Sequence, residues 1–449
     1  MKRPFPRRDF IKLAASAAAV GPFFNFSRRV LGNPKTLRIA KWAHFLPEYD
    51  AWFETEWAKP WGEKNNTNVI VDNIPIERVH ADASAEVAAG KGHDLFMFPW
   101  PPAEFHLHAI DHTKIYQDVS MNYGSIPQIS YKSTFHPKTK THFAFADFWI
   151  PAPVHYYTDF WAQAQMPLGP MTYGSLHSGG QRVRDKIGVP CGLSFSPNLE
   201  GNISANTFLY AFRSQILDVD GNIAINKNVY TAHALDFAKM LVQDAGSPYE
   251  FTWGPAGSVQ AMLARKTTLT TNAISLLRAA EKQNPDLAKR MRLDPPLLGP
   301  YGVTGFPQAT NCSTVWKFAE NPDDAKKFLV DLIDSSRTGY DKSLGCNFPA
   351  YPKALPNIVL RLDKDAHGGD PPNKYYALKD ALHWTPNLGA PGIVQPAWME
   401  VFNSFLIPKM FANVAQGNIS PHDAAAEAQK EVTAIVEKWK QTEASAAKS

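Results

Sequence analysis

The segment from residue 36 to residue 98 fixes the fold class before anything else is considered. Residues 36–42 read as a short strand, and residues 51–61 as a helix carrying aromatics. Residues 68–72 form a second strand around the apolar run Val69-Ile70-Val71. Residues 82–89 are helical, and Asp94-Leu95-Phe96-Met97-Phe98 is a third, buried strand. Strand, helix, strand, helix, strand at this spacing cannot be a set of hairpins; it implies βαβ units and a mostly parallel sheet flanked by helices. Ligands on such sheets sit beyond the carboxyl ends of the strands. Here those ends are Trp42-Ala43-His44-Phe45 and Pro99-Trp100-Pro101, both aromatic.

Later segments carry their own punctuation. Residues 143–153 are aromatic and Pro-bounded, suited to carrying the chain from one lobe to another. Asp218-Val219-Asp220-Gly221-Asn222 reads as a tight turn. Its likeness to a calcium loop fails, because the Gly is misplaced and no Glu follows at the required distance. Asn321-Pro322-Asp323-Asp324 supplies a cap, a Pro at the first helical position and acids in the first turn, and Ala325, Phe328, Leu329, Leu332 and Ile333 then share one face. Ser420-Pro421-His422-Asp423 starts a final helix whose apolar stripe runs from Ala425 to Trp439. The Ala/Lys/Ser tail at 441–449 is expected to be disordered. There is no internal repeat.

With 449 residues, 44% hydrophobic and 20% charged, the chain is globular and long enough for two sizeable lobes. A net charge of +4 without any Lys/Arg block excludes nucleic acid as the expected partner. At the amino end, Arg7-Arg8-Asp9-Phe10-Ile11-Lys12 resembles a twin-arginine export signal. The apolar stretch behind it, residues 13–24, is shorter than the roughly 20 residues a membrane span needs. Residues 1–35 are therefore expected to be a targeting segment that engages the twin-arginine translocase. No Cys follows closely, so a lipoprotein is not expected, and the periplasm is the expected location. Cys191, Cys312 and Cys346 are an odd set without metal-ligand spacing. A Cys312–Cys346 bridge is conceivable, and the sequence leaves it open.

The usual catalytic signatures are missing. There is no P-loop, no dinucleotide fingerprint, no HExxH and no Gly-x-Ser-x-Gly elbow. His106, His108 and His112 cluster beside Asp111, which suggests either a metal site or, as favoured here, a surface helix bearing histidines. No catalytic residue, no cofactor and no metal is expected.

The order of segments resembles a known family. A strand at residues 37–42, a helix, a strand at 68–72, and then Ala85-Glu86-Val87-Ala88-Ala89-Gly90-Lys91-Gly92-His93-Asp94 look like the opening of family 1 extracellular solute-binding proteins, the capture subunits of ABC importers. Residues 299–317 with 321–334, Gly345-Cys346-Asn347-Phe348-Pro349-Ala350, and residues 396–439 resemble that family's return crossover, third crossover and C-terminal helices. The resemblance implies an α/β, two-lobed periplasmic binding protein fold, each lobe a mostly parallel sheet flanked by helices, joined by about three hinge crossovers. It implies an N-terminal lobe of residues 36–147 and 313–345, and a C-terminal lobe of 152–308 and 350–440. It further implies a monomer without enzymatic activity that captures a sugar or oligosaccharide between the lobes and delivers it to ABC permease subunits.

Aromatic residues make up 12% of the chain. Aromatic faces pack on the C–H faces of sugars, while amides and carboxylates bond the hydroxyls. The expected ligand-binding residues are Trp42, Phe45 and Trp100 from the first lobe, with Trp149, Trp253, Asn272, Phe348 and Trp398 from the crossovers and second lobe. The run Phe96-Met97-Phe98-Pro99-Trp100-Pro101-Pro102 is more apolar than a typical sugar loop, which admits a less polar solute such as an aromatic glycoside. A polyol, polyamine or metal chelate is the nearest alternative ligand, and an exported metalloenzyme is the alternative from another class.

Overall fold

The computed structural model describes residues 35–446 and Lys448. The twin-arginine segment lies outside the described residues except for Lys35. Strand β1 (Lys35–Trp42) pairs in parallel with β2 (Thr67–Ile74), from Lys35 opposite Thr67 to Trp42 opposite Ile74. Its other edge pairs in parallel with β3 (Leu95–Phe98). The chain reaches β2 through helical turns over Pro47–Trp52, a π-helical stretch Phe53–Ala58, and Lys59–Asn65. Asn66 takes the left-handed conformation (φ 54°) and ends that run. Gly62 is required there, because a Cβ would lie 2.5 Å from the Thr67 carbonyl oxygen.

A small hairpin, β4 (Phe135–His136) and β5 (Thr141–His142), precedes the crossover strand β6 (Phe145–Ile150). After Pro151-Ala152-Pro153 the chain enters a second sheet at β7 (Val154–Tyr157), which is completed by β8 (Leu269–Thr271) and β9 (Met291–Asp294). A two-stranded ribbon, β10 (Leu298–Gly299) with β11 (Gly302–Val303), leads back to β12 (Ala309–Val315). The short β13 (Phe348–Pro349) closes the first sheet, whose order is β13-β6-β12-β3-β1-β2. There β12 runs antiparallel to β3 and β6, and β13 antiparallel to β6. Four of the six strands therefore share one direction, as expected. In the second sheet β7 opposes both neighbours. The reason is local. The helix Ser275–Gln283 returns the chain so that β8 and β9 run the same way, and β7 is inserted between them.

Both faces of the first sheet are covered, and every residue of β3, β6 and β12 is buried. Around the second sheet stand Tyr173–Ile187, Leu199–Ala211, Tyr230–Ala245 and Leu406–Ala415. Leu199–Ala211 is buried almost all round, and Asn198 caps it by accepting a hydrogen bond from the Gly201 N–H at 3.0 Å. The Asp218 turn forms as the sequence suggests: its carboxylate accepts from the N–H groups of Asp220 and Asn222, and Gly221 is left-handed.

Three expectations are corrected. The last helix spans Pro421–Ala446, so order continues past residue 440, where a tail was expected; Glu443 pairs with Lys138, which ties that end to the β4–β5 hairpin. His106, His108 and His112 do not share a helix. His112 is fully buried, with Nδ1 on the Ile110 carbonyl and Nε2 accepting from the Val315 N–H, so it is a structural residue. All three cysteines are free and buried, and Cys312 and Cys346 form no bridge.

Candidate functional site

The principal cavity, of about 930 Å³, opens at the carboxyl ends of β1, β2 and β3. Phe45 follows β1, Ile76 and His80 follow β2, and Trp100 follows β3. This placement obeys the rule for parallel sheets, since the strand ends and their loops are the part of the sheet left open. The facing wall comes from the amino end of the helix Leu199–Ala211, from residues 251–256, and from Asn272 just beyond β8. Gln308, on the crossover into β12, and Phe402 complete it.

A buried polar cluster organises the facing wall. Glu200 is almost fully enclosed; one oxygen accepts from the Ser258 N–H at 2.9 Å and the other from the Asn272 amide at 3.1 Å. Burial pushes the Glu200 carboxyl up, and these hydrogen bonds oppose the shift. Asn272 also donates to Ser258 Oγ at 3.1 Å and accepts from the Ala273 N–H at 2.8 Å. The helix approaches Ser196 so closely that a Cβ on residue 201 would lie 1.9 Å from the Ser196 carbonyl oxygen, which requires Gly201. At the other rim His80 pairs with Glu104 at 3.0 Å, and that partner raises its pKa.

Three polar atoms on residues lining the cavity have no hydrogen-bond partner among the described residues: Asn202 Oδ1, Gln308 Oε1 and Trp100 Nε1. Asn202 is 0% exposed and Gln308 3% exposed. Orphaned buried acceptors of this kind cost about 1–3 kcal/mol each unless something bonds them. Asn202 is held by its own Nδ2, which donates to the Phe402 carbonyl at 2.8 Å. Gln308 is held by its main chain, which donates to the Ile150 carbonyl at 2.8 Å.

Of the eight residues expected from sequence, the structure brings Phe45, Trp100, Trp253 and Asn272 to this cavity. The other four sit in the core behind it. Trp42 is 1% exposed, donates to Asn311 Oδ1 at 2.6 Å, and packs edge-on against Phe45 at 5.2 Å, so it braces the lining residue. Trp149 and Phe348 are register partners on β6 and β13 with rings 5.1 Å apart, both buried. Trp398 is sandwiched between Phe306 and Phe402. Phe402, one helical turn on, is the residue that reaches the cavity, and it meets Trp100 at 5.5 Å. Sequence reasoning missed Glu200, Asn202, Gln308 and Phe402. Only the cap Asn198 with Glu200 in the first turn carried a readable signal.

The polar groups of the cavity are suited to accepting and donating hydrogen bonds to a neutral solute between aromatic walls. A His/Glu grouping of metal-ligand type does occur among the described residues, at His106, His136 and Glu443, but none of the three lines the cavity. No helix among the described residues is long and apolar enough to cross a membrane.

Neither a protein-family profile nor a curated protein sequence matches the chain. Solved structures do. A putative oligosaccharide periplasmic-binding protein from Synechococcus sp. MITs9220 superposes with a TM-score of 0.76 at 16% identity, over 90% of this chain and 100% of its own. An ABC transporter solute binding protein from Thermotoga lettingae TMO, bound with alpha-D-tagatose, gives 0.74 at 17% identity, over 89% and 99%. A sugar transporter from Arthrobacter chlorophenolicus A6 with bound laminaribiose gives 0.74 at 13% identity, over 89% and 99%. These neighbours are binding proteins, and the likeness establishes that the chain has the periplasmic binding protein fold.

Proposed function

We propose that the chain is the periplasmic solute-binding component of an ABC importer. It captures a carbohydrate or glycoside in the cavity beyond β1–β3 and delivers it to the permease, without catalysing a reaction. The observation that carries this reading is the pairing of aromatic walls with unpartnered hydrogen-bonding atoms. A hydroxyl-rich solute lays a C–H face on Trp100 or Trp253, and side-chain rotation on binding turns the enclosed, unpartnered Asn202 Oδ1, Gln308 Oε1 and Trp100 Nε1 toward its hydroxyls. The sugar ligands of the neighbouring structures support the same class.

The wall composition refines it. Phe45, Trp100, Phe251, Trp253 and Phe402 make the lining largely apolar, which favours a glycoside with an apolar portion over a plain oligosaccharide. Both Glu200 oxygens already serve the protein, so a polyamine would find little free carboxylate there. In this reading residues 36–147 with 313–345 form one lobe, and residues 152–308 with 350–440 the other. The solute touches both only when they close, and so shifts the population toward the closed form. Export by the twin-arginine route and a monomeric state in the periplasm belong to the same proposal.

Thermal-shift titration of the mature protein tests it, against mono- and oligosaccharides, polyols, polyamines and aromatic glycosides. A ligand at about 100 times its Kd stabilises the folded state by about 2.7 kcal/mol, so the melting temperature rises with the logarithm of ligand concentration above Kd. The expected responder is a glycoside or oligosaccharide. Response to a polyamine alone, or to none of these solutes, overturns the proposal.

A further inference from the structure

We propose that His106, His136 and Glu443 form a binding site for a single divalent ion of zinc type, which ties the end of the C-terminal helix to the segment Ala103–His108 and to the β4–β5 hairpin. Each residue offers one ligand atom, and these atoms lie within 4.8 Å of one another. The three come from separate elements and are brought together only by the fold. Zinc holds nitrogen and oxygen ligands at about 2.0–2.2 Å. Drawing the three atoms onto one ion therefore takes shifts on the order of 1 Å and a splaying of the two stacked rings.

The donor set is chemically selective. Two imidazoles and a carboxylate suit zinc and its first-row neighbours rather than calcium or magnesium, which prefer all-oxygen shells. Three protein ligands leave the fourth tetrahedral position to water. Metal-binding histidines normally engage their second ring nitrogen elsewhere, which fixes the ring and its tautomer. Both rings have such a partner: His106 Nδ1 lies 2.9 Å from the Ala103 carbonyl, and His136 Nδ1 lies 3.0 Å from Thr139 Oγ1. The two rings stack, parallel to within 13° with centroids 4.6 Å apart, which brings the two imidazoles beside one another.

Without an ion, Lys138 pairs with the Glu443 carboxylate, and the Thr139 N–H points at His136 Nδ1 at 3.3 Å. With the ion on Nε2 the ring hydrogen sits on Nδ1, where Thr139 Oγ1 accepts it. Lys138 stays beside the site and lowers its affinity for a cation, so the ion must compete with that pair. His108, exposed on the same segment, lies outside the grouping.

The experiment uses the mature chain without a polyhistidine tag. Wild type, His106→Asn, Glu443→Gln and the control His108→Asn are titrated with zinc chloride by calorimetry, with melting temperature read in parallel. Cobalt(II) serves as a spectroscopic probe of the ligand set. Wild type and the His108→Asn control are expected to bind one zinc per chain with a rise in melting temperature. The two ligand variants are expected to lose affinity by more than the roughly 10–100-fold that removal of an outer partner costs. The cobalt complex of wild type is expected to absorb in the visible as a four-coordinate site, a readout independent of whether the variants fold. The proposal is overturned if wild type takes up no stoichiometric zinc, if cobalt gives only the spectrum of the hydrated ion, or if His106→Asn and Glu443→Gln bind as tightly as wild type.

Discussion

Asp147 offers a demanding check on the electrostatics of the core. It lies in β6, 5% exposed, and burial pushes its carboxyl up from 3.8 to about 7. Opposing that shift are the Asn311 amide, which donates to its Oδ1 at 2.5 Å, neighbouring main-chain N–H groups, and Lys41. A carboxyl whose folded pKa is raised stabilises the fold fully below its unfolded pKa. That contribution is lost as pH rises through the folded value. Each pH unit crossed in that window costs about 1.36 kcal/mol, so moving from about pH 5.5 to about pH 7 removes about 2 kcal/mol, with little further change to about pH 8. Asp147→Asn stays neutral throughout and keeps the oxygen that Asn311 bonds. Urea unfolding of both proteins at the two extremes gives a double difference in which other groups cancel. His80 and His93, whose pKa values are raised and which also titrate there, are present in both proteins. The variant is expected to show a pH dependence smaller by about 2 kcal/mol. Equal pH dependence in the two proteins would mean that Asp147 is already ionised in the fold, compensated by Lys41, and the reasoning fails.

Other changes probe packing and the cavity. Gly201→Ala, which places a Cβ 1.9 Å from the Ser196 carbonyl oxygen, should cost at least about 3 kcal/mol in urea unfolding; a loss under about 1 kcal/mol would show that the helix start yields easily. Trp253→Ala should leave the melting temperature of the free protein near wild type while weakening the responding glycoside by about 10-fold or more, because a half-exposed stacking face is removed. Unchanged affinity would take Trp253 out of the site. Arg278 bonds both Asp365 oxygens at 2.6 and 2.9 Å, pairs with Glu281 and covers the Tyr375 ring at 3.8 Å. Arg278→Met strands those carboxylates and should destabilise by about 3–5 kcal/mol in the same unfolding assay, whereas a neutral outcome would mean that water reaches them.

How much could be read from the sequence depended on how each element is buried. The strands β1–β3 were legible because buried parallel strands are short apolar runs punctuated by polar turns. The same burial hid which aromatics reach the cavity. In β6 both faces are covered, so the usual alternation that would separate inward from outward residues disappears, and Trp149 could not be told from a lining residue. Trp42 and Phe45 are three residues apart, yet one is core and the other lines the cavity. Glu200, Asn202 and Asn206 are of residue types usually found at the surface. They are buried because each finds or offers a hydrogen bond inside the protein, a condition set by Ser258, Asn272 and Phe402 far along the chain. The grouping of His106 with His136 and Glu443 was equally out of reach, since the local spacing pointed to His108 and His112 instead.

Gln308 unites two roles that are usually kept apart. Its side chain is part of the cavity wall, with its oxygen enclosed and unpartnered, while its N–H bonds Ile150 where the chain passes between the two sheets. When two rigid bodies turn about a common axis, a point travels in proportion to its distance from that axis, and in the proposed two-lobed motion Gln308 stands almost on it. Its contact with a solute would then change least between open and closed forms, while lining residues farther from that axis on either lobe sweep longer arcs. A solute would be held first at the pivot and gripped last at the rim. Selectivity exercised at Gln308 would govern entry, and selectivity exercised at the rim aromatics would govern release.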